Sequence, residues 1–243
     1  MTDNKTQAAQ YPVLIVGCGP SGMTAALALS RLGVKSLVIE RRTTISESPR
    51  AHALNCRTLE ILAQLGVDID ALRDKATPDE ESGWVRWVDT LNGGEFGALP
   101  YERIPTPETV PTPFPLFNIA QPDAEAVLFE YLQADPNVAI ERGCEWQSCE
   151  QRAQGVTSQV VNAAGETVSI ASRFVIAADG ANSPVRGALG INMEGPGILQ
   201  RFKTVHFRAD LSGIVASKPA ILYWILNQSA GGTLIAYDIR DNW

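Results

Sequence analysis

The chain has 243 residues, of which 45% are hydrophobic and 19% charged, and a formal net charge of −7. These are the values of a soluble globular protein rather than a disordered or fibrous one. At this length folding buries roughly 70 to 75% of the unfolded surface, enough for one large domain or two small ones. The acidic balance, with no basic cluster longer than Arg41-Arg42, repels a phosphate backbone and an anionic membrane surface, so no nucleic-acid and no membrane partner is expected.

The first residues, Met1-Thr2-Asp3-Asn4-Lys5, lack a basic flank followed by an apolar run. No window approaches the about 18 apolar residues of a membrane span, and a cytoplasmic location is expected. Cys18, Cys56, Cys144 and Cys149 form no C-x-x-C pair and lack suitably spaced histidines. That argues against zinc and against a disulfide framework, so reduced structural thiols and no metal site are expected.

After the polar tail, Tyr11 to Val16 is an apolar run bounded by glycine, the pattern of a strand buried on both faces. Pro20 to Leu32 carries Ala25, Ala26, Leu29 and Leu32 at helical spacing, Gly33 ends it, and Val34 to Glu40 supplies a second apolar strand. A βαβ unit follows. Helices are predicted from about Thr58 to Leu65 and from Pro122 to Gln133, the second with Ala124, Val127, Leu128, Tyr131 and Leu132 on one face. Between them, Trp84 to Leu99 favours strands around an Asn92-Gly93-Gly94 turn, followed by the proline-rich stretch Pro105 to Pro115. Val138 to Ala178 reads as a strand meander with turns at Gln154-Gly155 and Ala164-Gly165, ending in the apolar run Phe174 to Ala178. Further strand-like runs cover Lys203 to Ala209, Ala220 to Leu226 and Thr233 to Ile239, with no helical pattern beside them.

Gly17-Cys18-Gly19-Pro20-Ser21-Gly22 is a G-x-G-x-x-G directly after a strand and opening a helix. In that context Gly17 permits the tight turn, Gly19 lets backbone approach a pyrophosphate, and Gly22 lets helix and strand pack closely. Pro20 and Ser21 open the helix, whose exposed N–H groups and dipole face the phosphates. Glu40 ends the second strand at the offset where an acid hydrogen-bonds a ribose, which disfavours NADP and leaves NAD and FAD open. Asp179-Gly180 follows an apolar strand, hence lies at the carboxyl edge of a sheet, where doubly wound folds bind ligands.

Three further blocks bear on the cofactor. They are Ser48-Pro49-Arg50-Ala51-His52-Ala53-Leu54-Asn55-Cys56-Arg57-Thr58-Leu59-Glu60, then Asn118-Ile119-Ala120-Gln121, then Ala178-Asp179-Gly180-Ala181-Asn182-Ser183-Pro184-Val185-Arg186. With the fingerprint, in this order, they resemble the FAD-dependent aromatic-ring hydroxylases of the para-hydroxybenzoate and phenol hydroxylase group, nearer to the phenol-hydroxylase branch. The resemblance implies a Rossmann-like α/β FAD-binding domain, a parallel sheet with a β-meander, at 1–80 and 112–200. It adds a partial β-rich substrate domain at 81–111 and 201–243. It also implies that Arg50 lies beside the flavin and its diphosphate, that Gln121 contacts the FAD, and that Asp179 binds the ribityl chain. Asp179 and Gly180 also serve NAD(P)H in that family. Arg41 either stacks on adenine or stays solvated. Arg57 and Glu60 are read as a surface ion pair, and His52 and His206 as packing or surface residues rather than catalysts. Trp84 and Trp87 are spaced W-x-x-W, unlike the W-x-W of flavin halogenases.

In that family NADH or NADPH reduces FAD, O₂ gives a flavin C4a-hydroperoxide, and its distal oxygen passes to a phenolic ring. The cofactor carries the chemistry, so no catalytic triad is expected; the partners are an aromatic small molecule and O₂. The family's later Gly-Asp segment has no counterpart before Trp243, as in a truncated product. That gives an expectation of weakened flavin affinity, an open sheet edge and self-association into a homo-oligomer. A non-catalytic FAD-binding fragment, and another flavin enzyme such as an epoxidase, halogenase or reductase, stay open as alternatives. An NAD dehydrogenase is disfavoured because the text after Gly197 offers no base or metal site.

Overall fold

The computed structural model describes residues 11–45, 50–103, 112–229 and 231–243. The amino-terminal tail, Ser48-Pro49 and the prolines from Pro105 to Pro111 lie outside the described residues. In chain order the elements are β1 (Val13–Val16), α1 (Pro20–Arg31), β2 (Ser36–Glu40), β3 (Ala53–Leu54), α2 (Cys56–Gln64), α3 (Ile69–Arg73) and α4 (Asp79–Ser82). There follow β4 (Trp84–Val88), β5 (Glu95–Pro100), a 3-10 turn (Tyr101–Arg103), β6 (Phe117–Asn118), α5 (Gln121–Ala134) and β7 (Val138–Arg142). The remainder is β8 (Glu145–Arg152), β9 (Gly155–Val161), β10 (Thr167–Ser172), β11 (Phe174–Ala177), α6 (Pro184–Ala188), α7 (Ser212–Val215), β12 (Leu222–Ile225) and β13 (Gly232–Ile235). Among the described residues no helix is long and apolar enough to cross a membrane.

The chain divides into two compact units, one of 1–45 with 125–200 and one of 46–124 with 201–243. The first holds a parallel sheet in the order β11-β1-β2-β7 and an antiparallel meander in the order β10-β9-β8. The apolar run of β1 is buried over its whole length because strands flank it on both edges, Leu14 against Leu37 and Val175. Its core joins Leu14, Val16, Leu37 and Ile39 to Trp146, Val160 and Val185. Each such Leu or Ile contributes about 1.5–3 kcal/mol on burial. The Trp146 indole N–H donates to Ser158 Oγ at 3.3 Å, so this buried ring leaves no orphan donor. Both predicted meander turns form, with positive φ at Gly155 and Gly165.

On α1 the buried stripe is Gly22, Met23, Ala26 and Leu27. It is rotated from the expected Ala25, Ala26, Leu29 and Leu32: Leu32 is the C-cap and is 77% exposed. The stripe pivots instead on Gly22, the residue that must touch the strand side.

In the second unit a mixed sheet runs β13-β12-β4-β5, with β12 parallel to β4, and β3 pairs antiparallel with β6. The predicted Asn92-Gly93-Gly94 turn joins β4 to β5, closed by Asp89 N–H to Gly94 O at 2.9 Å. The core under the sheet is Val88, Val215, Ala220, Tyr223, Ala236, Ile239 and Trp243. Two expectations are corrected. Lys203 to Ala209 forms no strand: among the described residues Phe207 and Trp243 exchange N–H···O bonds at 3.0 Å and Ala209 N–H donates to Asp241 O, an isolated bridge around Arg208 and Asn242. Thr233 to Ile239 is strand only as far as Ile235, after which the chain turns at Asp238 and Asn242. The short α7 also stands where no helix was predicted.

Candidate functional site

In the first unit the glycine loop sits at the carboxyl edge of β1. Gly17 has φ +103°, and a β-carbon there would stand 2.3 Å from Ala178 O and 3.1 Å from Asp179 Cα. The fingerprint and the Asp179-Gly180 turn, more than 160 residues apart in sequence, are thus packed backbone to backbone. A β-carbon on Gly22 would meet Gly17 O at 2.0 Å, whereas one on Gly19 would meet nothing within 4 Å. Two of the three glycines are needed for packing. The third leaves open space at the amino end of α1, where backbone N–H groups and the helix dipole favour a phosphate.

Glu40 ties this loop to the end of β2. Its Oε2 accepts the Cys18 N–H and its Oε1 the Arg42 N–H, both at 2.9 Å. Each oxygen keeps a further lone pair, so the carboxylate can hold the loop and still accept hydroxyl donors. Between these residues the Cys18 thiol is buried, which pushes its pKa up to about 11 against a lowering by the Arg142 charge and a further raise by Glu40. It remains a protonated, structural thiol, and all four cysteines are free.

Asp179 also has a structural partner: its Oδ2 accepts the Val185 N–H at 3.1 Å, at the start of α6. Ser183 caps the same helix through Arg186 N–H at 2.9 Å, and Arg186 Nη1 donates back to Ala181 O at 2.8 Å. Beside the turn lies an open cleft of about 420 Å³ lined by Ser21, Asp179, Gly180, Ser183, Arg186 and the apolar Leu189 and Ile191. Ser183 and Arg186 were not predicted as site residues; their signal was the N-cap spacing of Ser183 before Pro184. Arg41 and Pro20 are exposed.

In the second unit, the strand-like segment after Arg50 runs antiparallel to the one before α5. His52 O accepts from Ile119 N–H at 3.0 Å and Ala51 O from Gln121 N–H at 3.1 Å. Arg50 and Gln121, expected to serve the same cofactor, are therefore placed at neighbouring ends of one small ribbon. Arg50 is exposed and Gln121 half-buried. Arg57 and Glu60 do form the expected ion pair, at 3.1 Å. Glu60 also accepts the Thr112 hydroxyl, and that bond, ahead of Arg57, lowers its pKa. Among the described residues no cluster could hold a metal ion.

The arrangement fits a dinucleotide: an open glycine at a helix amino end, an acid at the end of the second strand, and a second acid beside the loop. Comparison with known proteins agrees. The family model described as an FAD binding domain matches residues 10–242. The chain is 34% identical to 2,4-dichlorophenol 6-monooxygenase of Cupriavidus pinatubonensis over 221 residues, 88% of this chain and 36% of that protein. A crystal structure of the flavin-dependent monooxygenase PieE with FAD and substrate matches with a TM-score of 0.87 and 35% identity, over 97% of this chain and 42% of that one. Aklavinone-11 hydroxylase with FAD and aklavinone matches with a TM-score of 0.84 and 28% identity, over 97% and 45%. The chain spans less than half the length of each of these relatives. It belongs to the FAD-binding domain family of flavin-dependent monooxygenases, the group of the aromatic-ring hydroxylases.

Proposed function

We propose that this chain supplies the FAD-binding part of a monooxygenase that hydroxylates a phenolic ring, working in the cytoplasm with NADH or NADPH and O₂. The single observation that carries the reading is the packing of Gly17 against Ala178 and Asp179, with Gly19 left open beside them. In this reading the N–H groups from Gly19 to Gly22, including those of Ser21 and Gly22, face the pyrophosphate, with Pro20, which has no N–H, shaping the first turn. Glu40 accepts the ribose hydroxyls while its bond to Cys18 holds the loop in place, and Arg41 stands at the adenine end. Asp179 and Gly180 take the ribityl chain, and Arg50 and Gln121 the flavin end. When bound, FAD supplies the redox chemistry, taking electrons from the nicotinamide and passing one oxygen atom of O₂ to the ring. The protein's own part is to orient the ring and exclude water.

The second unit supports an aromatic substrate. The β4–β12 register sets Trp87 beside Trp224, and the period of two puts Val85, Leu222 and Leu99 on the same face. Trp224 is 41% exposed and Leu99 58%, so this apolar face is open to a flat ligand. We assign residues 81–111 and 201–243 to the substrate, and residues 1–80 and 112–200 to FAD. The test is phenol-dependent oxidation of NADH and NADPH by the FAD-loaded protein, with identification of the product. A hydroxylated phenol supports the reading; oxidation of NAD(P)H that no phenol accelerates, or an epoxide from an alkene instead, overturns it. Loss of FAD on purification favours the alternative of a non-catalytic fragment.

A further inference from the structure

The strand-like run Lys203 to Ala209, in the second unit, has a neighbour over only part of its length. Phe207 and Trp243 exchange both N–H···O bonds at 3.0 Å, and Ala209 N–H donates to Asp241 O at 3.0 Å. With Arg208 opposite Asn242 between them, these pairs are the start of an antiparallel pairing. Side chains hold the same segments together: Arg208 Nη2 lies 2.7 Å from Asp241 Oδ2, and His206 Nε2 lies 2.6 Å from Asn242 Oδ1. On the other edge Asp238 and Asn242 exchange N–H···O bonds at 3.1 and 2.8 Å. Residues 241 to 243 thus turn alternate backbone groups to opposite neighbours, as an interior strand does. Trp243 is 3% exposed and belongs to the core of Tyr223 and Ala236, with Phe207 packed against it. Two residues before Phe207, and so on the same face of an extended chain, Val205 is 72% exposed. Among the described residues neither Val205 nor Lys203 has a backbone–backbone hydrogen bond.

We propose that the backbone edge of Lys203 to Val205 is the docking position for one more stretch of strand, and that its occupant is the segment following Trp243 in a longer form of this chain. In the antiparallel register set by Phe207 and Trp243, the second residue after Trp243 faces Val205 and the fourth faces Lys203. Each of these pairs exchanges two N–H···O bonds, and an apolar side chain on the second residue covers Val205. Continuity decides the occupant: the strand that fills this edge is already begun by residues 241 to 243, whereas a strand of a second copy would meet Trp243 end to end. The chain spans less than half the length of its relatives, which leaves ample sequence for such a segment. The inference stands on backbone geometry and does not depend on FAD.

The test compares the 243-residue chain with the same chain extended by Thr-Val-Thr-Val-Thr or by Thr-Pro-Thr-Pro-Thr, following single amides by hydrogen exchange. The second and fourth added residues are those that face Val205 and Lys203, and proline there offers no N–H and interrupts the pairing. In the 243-residue chain the Val205 and Lys203 amides are expected to exchange freely. The valine extension should slow both at least about tenfold, leave the amides of Thr204 and His206 unchanged because they turn to the opposite edge, and have no such effect when proline replaces valine. Slow exchange at Val205 or Lys203 in the 243-residue chain, protection of Thr204 and His206 in their place, equal rates in all three chains, or equal protection by the two extensions overturns the proposal. Protection that appears in the 243-residue chain only as its concentration rises assigns the edge to a second copy and overturns the choice of occupant.

Discussion

Asp179 Cα lies 3.1 Å from the point where a β-carbon on Gly17 would stand, and Ala178 O is closer still at 2.3 Å. The turn after β11 and the turn after β1 are therefore fitted to each other with no room for a side chain. Gly17 also has φ +103°, so Gly17→Ala meets both backbone strain and a clash. It is expected to destabilise the protein by about 3 kcal/mol or more, and a denaturant melt of the FAD-free chain checks it. Gly22→Ala is expected to behave likewise, because its β-carbon would stand 2.0 Å from Gly17 O.

Gly19→Ala should separate folding from binding. Its β-carbon enters open space and its backbone is extended, with φ −82° and ψ −177°. The stability cost is expected to stay below about 1 kcal/mol. FAD affinity is nevertheless expected to fall at least tenfold, because the methyl occupies the place of the approaching pyrophosphate. Equal melts with unequal flavin titrations would bear this out; equal titrations would contradict it.

Glu40→Gln removes one of two backbone acceptors, since an amide has a single oxygen where Glu40 uses both, one for Cys18 and one for Arg42. A cost of about 1–3 kcal/mol is expected. It should appear in the FAD-free protein, where ribose contacts play no part, and hydrogen exchange of the Cys18 amide reports it directly.

Cys18 makes an alkaline prediction. Its folded pKa of about 11 lies above the ordinary 9.0, so in that interval the unfolded thiol ionises while the folded one keeps its proton. Its contribution to stability is complete below pH 9, and is lost as the pH rises toward 11. Comparing melts of wild type and Cys18→Ser across this range should show a steeper decline in wild type. Below pH 9 iodoacetamide should modify Cys18 more slowly than the half-buried Cys56 and Cys149.

Much of the first unit was legible in the sequence because local rules agreed there. The unbroken apolar run of β1 demanded burial on both faces, and a glycine loop between strand and helix has few other uses. The second unit was harder. Lys203 to Ala209 has strand-like composition, yet a strand needs a paired neighbour, and among the described residues this segment makes an isolated bridge, Arg208 to Asn242, and no ladder. α2 starts two residues before the predicted Thr58 because Asn55 caps it, its Oδ1 accepting Thr58 N–H at 2.8 Å. The contact between His52 and Asn118, 66 positions apart, is carried by no periodicity.

The most direct test is the absorbance of the purified chain between roughly 350 and 500 nm, the oxidised-flavin region, after addition of FAD and removal of the excess. Retained flavin in wild type, and its loss in Gly19→Ala under the same treatment, is the predicted result. Flavin that washes out of the wild-type chain, or that Gly19→Ala holds equally well, would contradict the claim that FAD is bound at the amino end of α1.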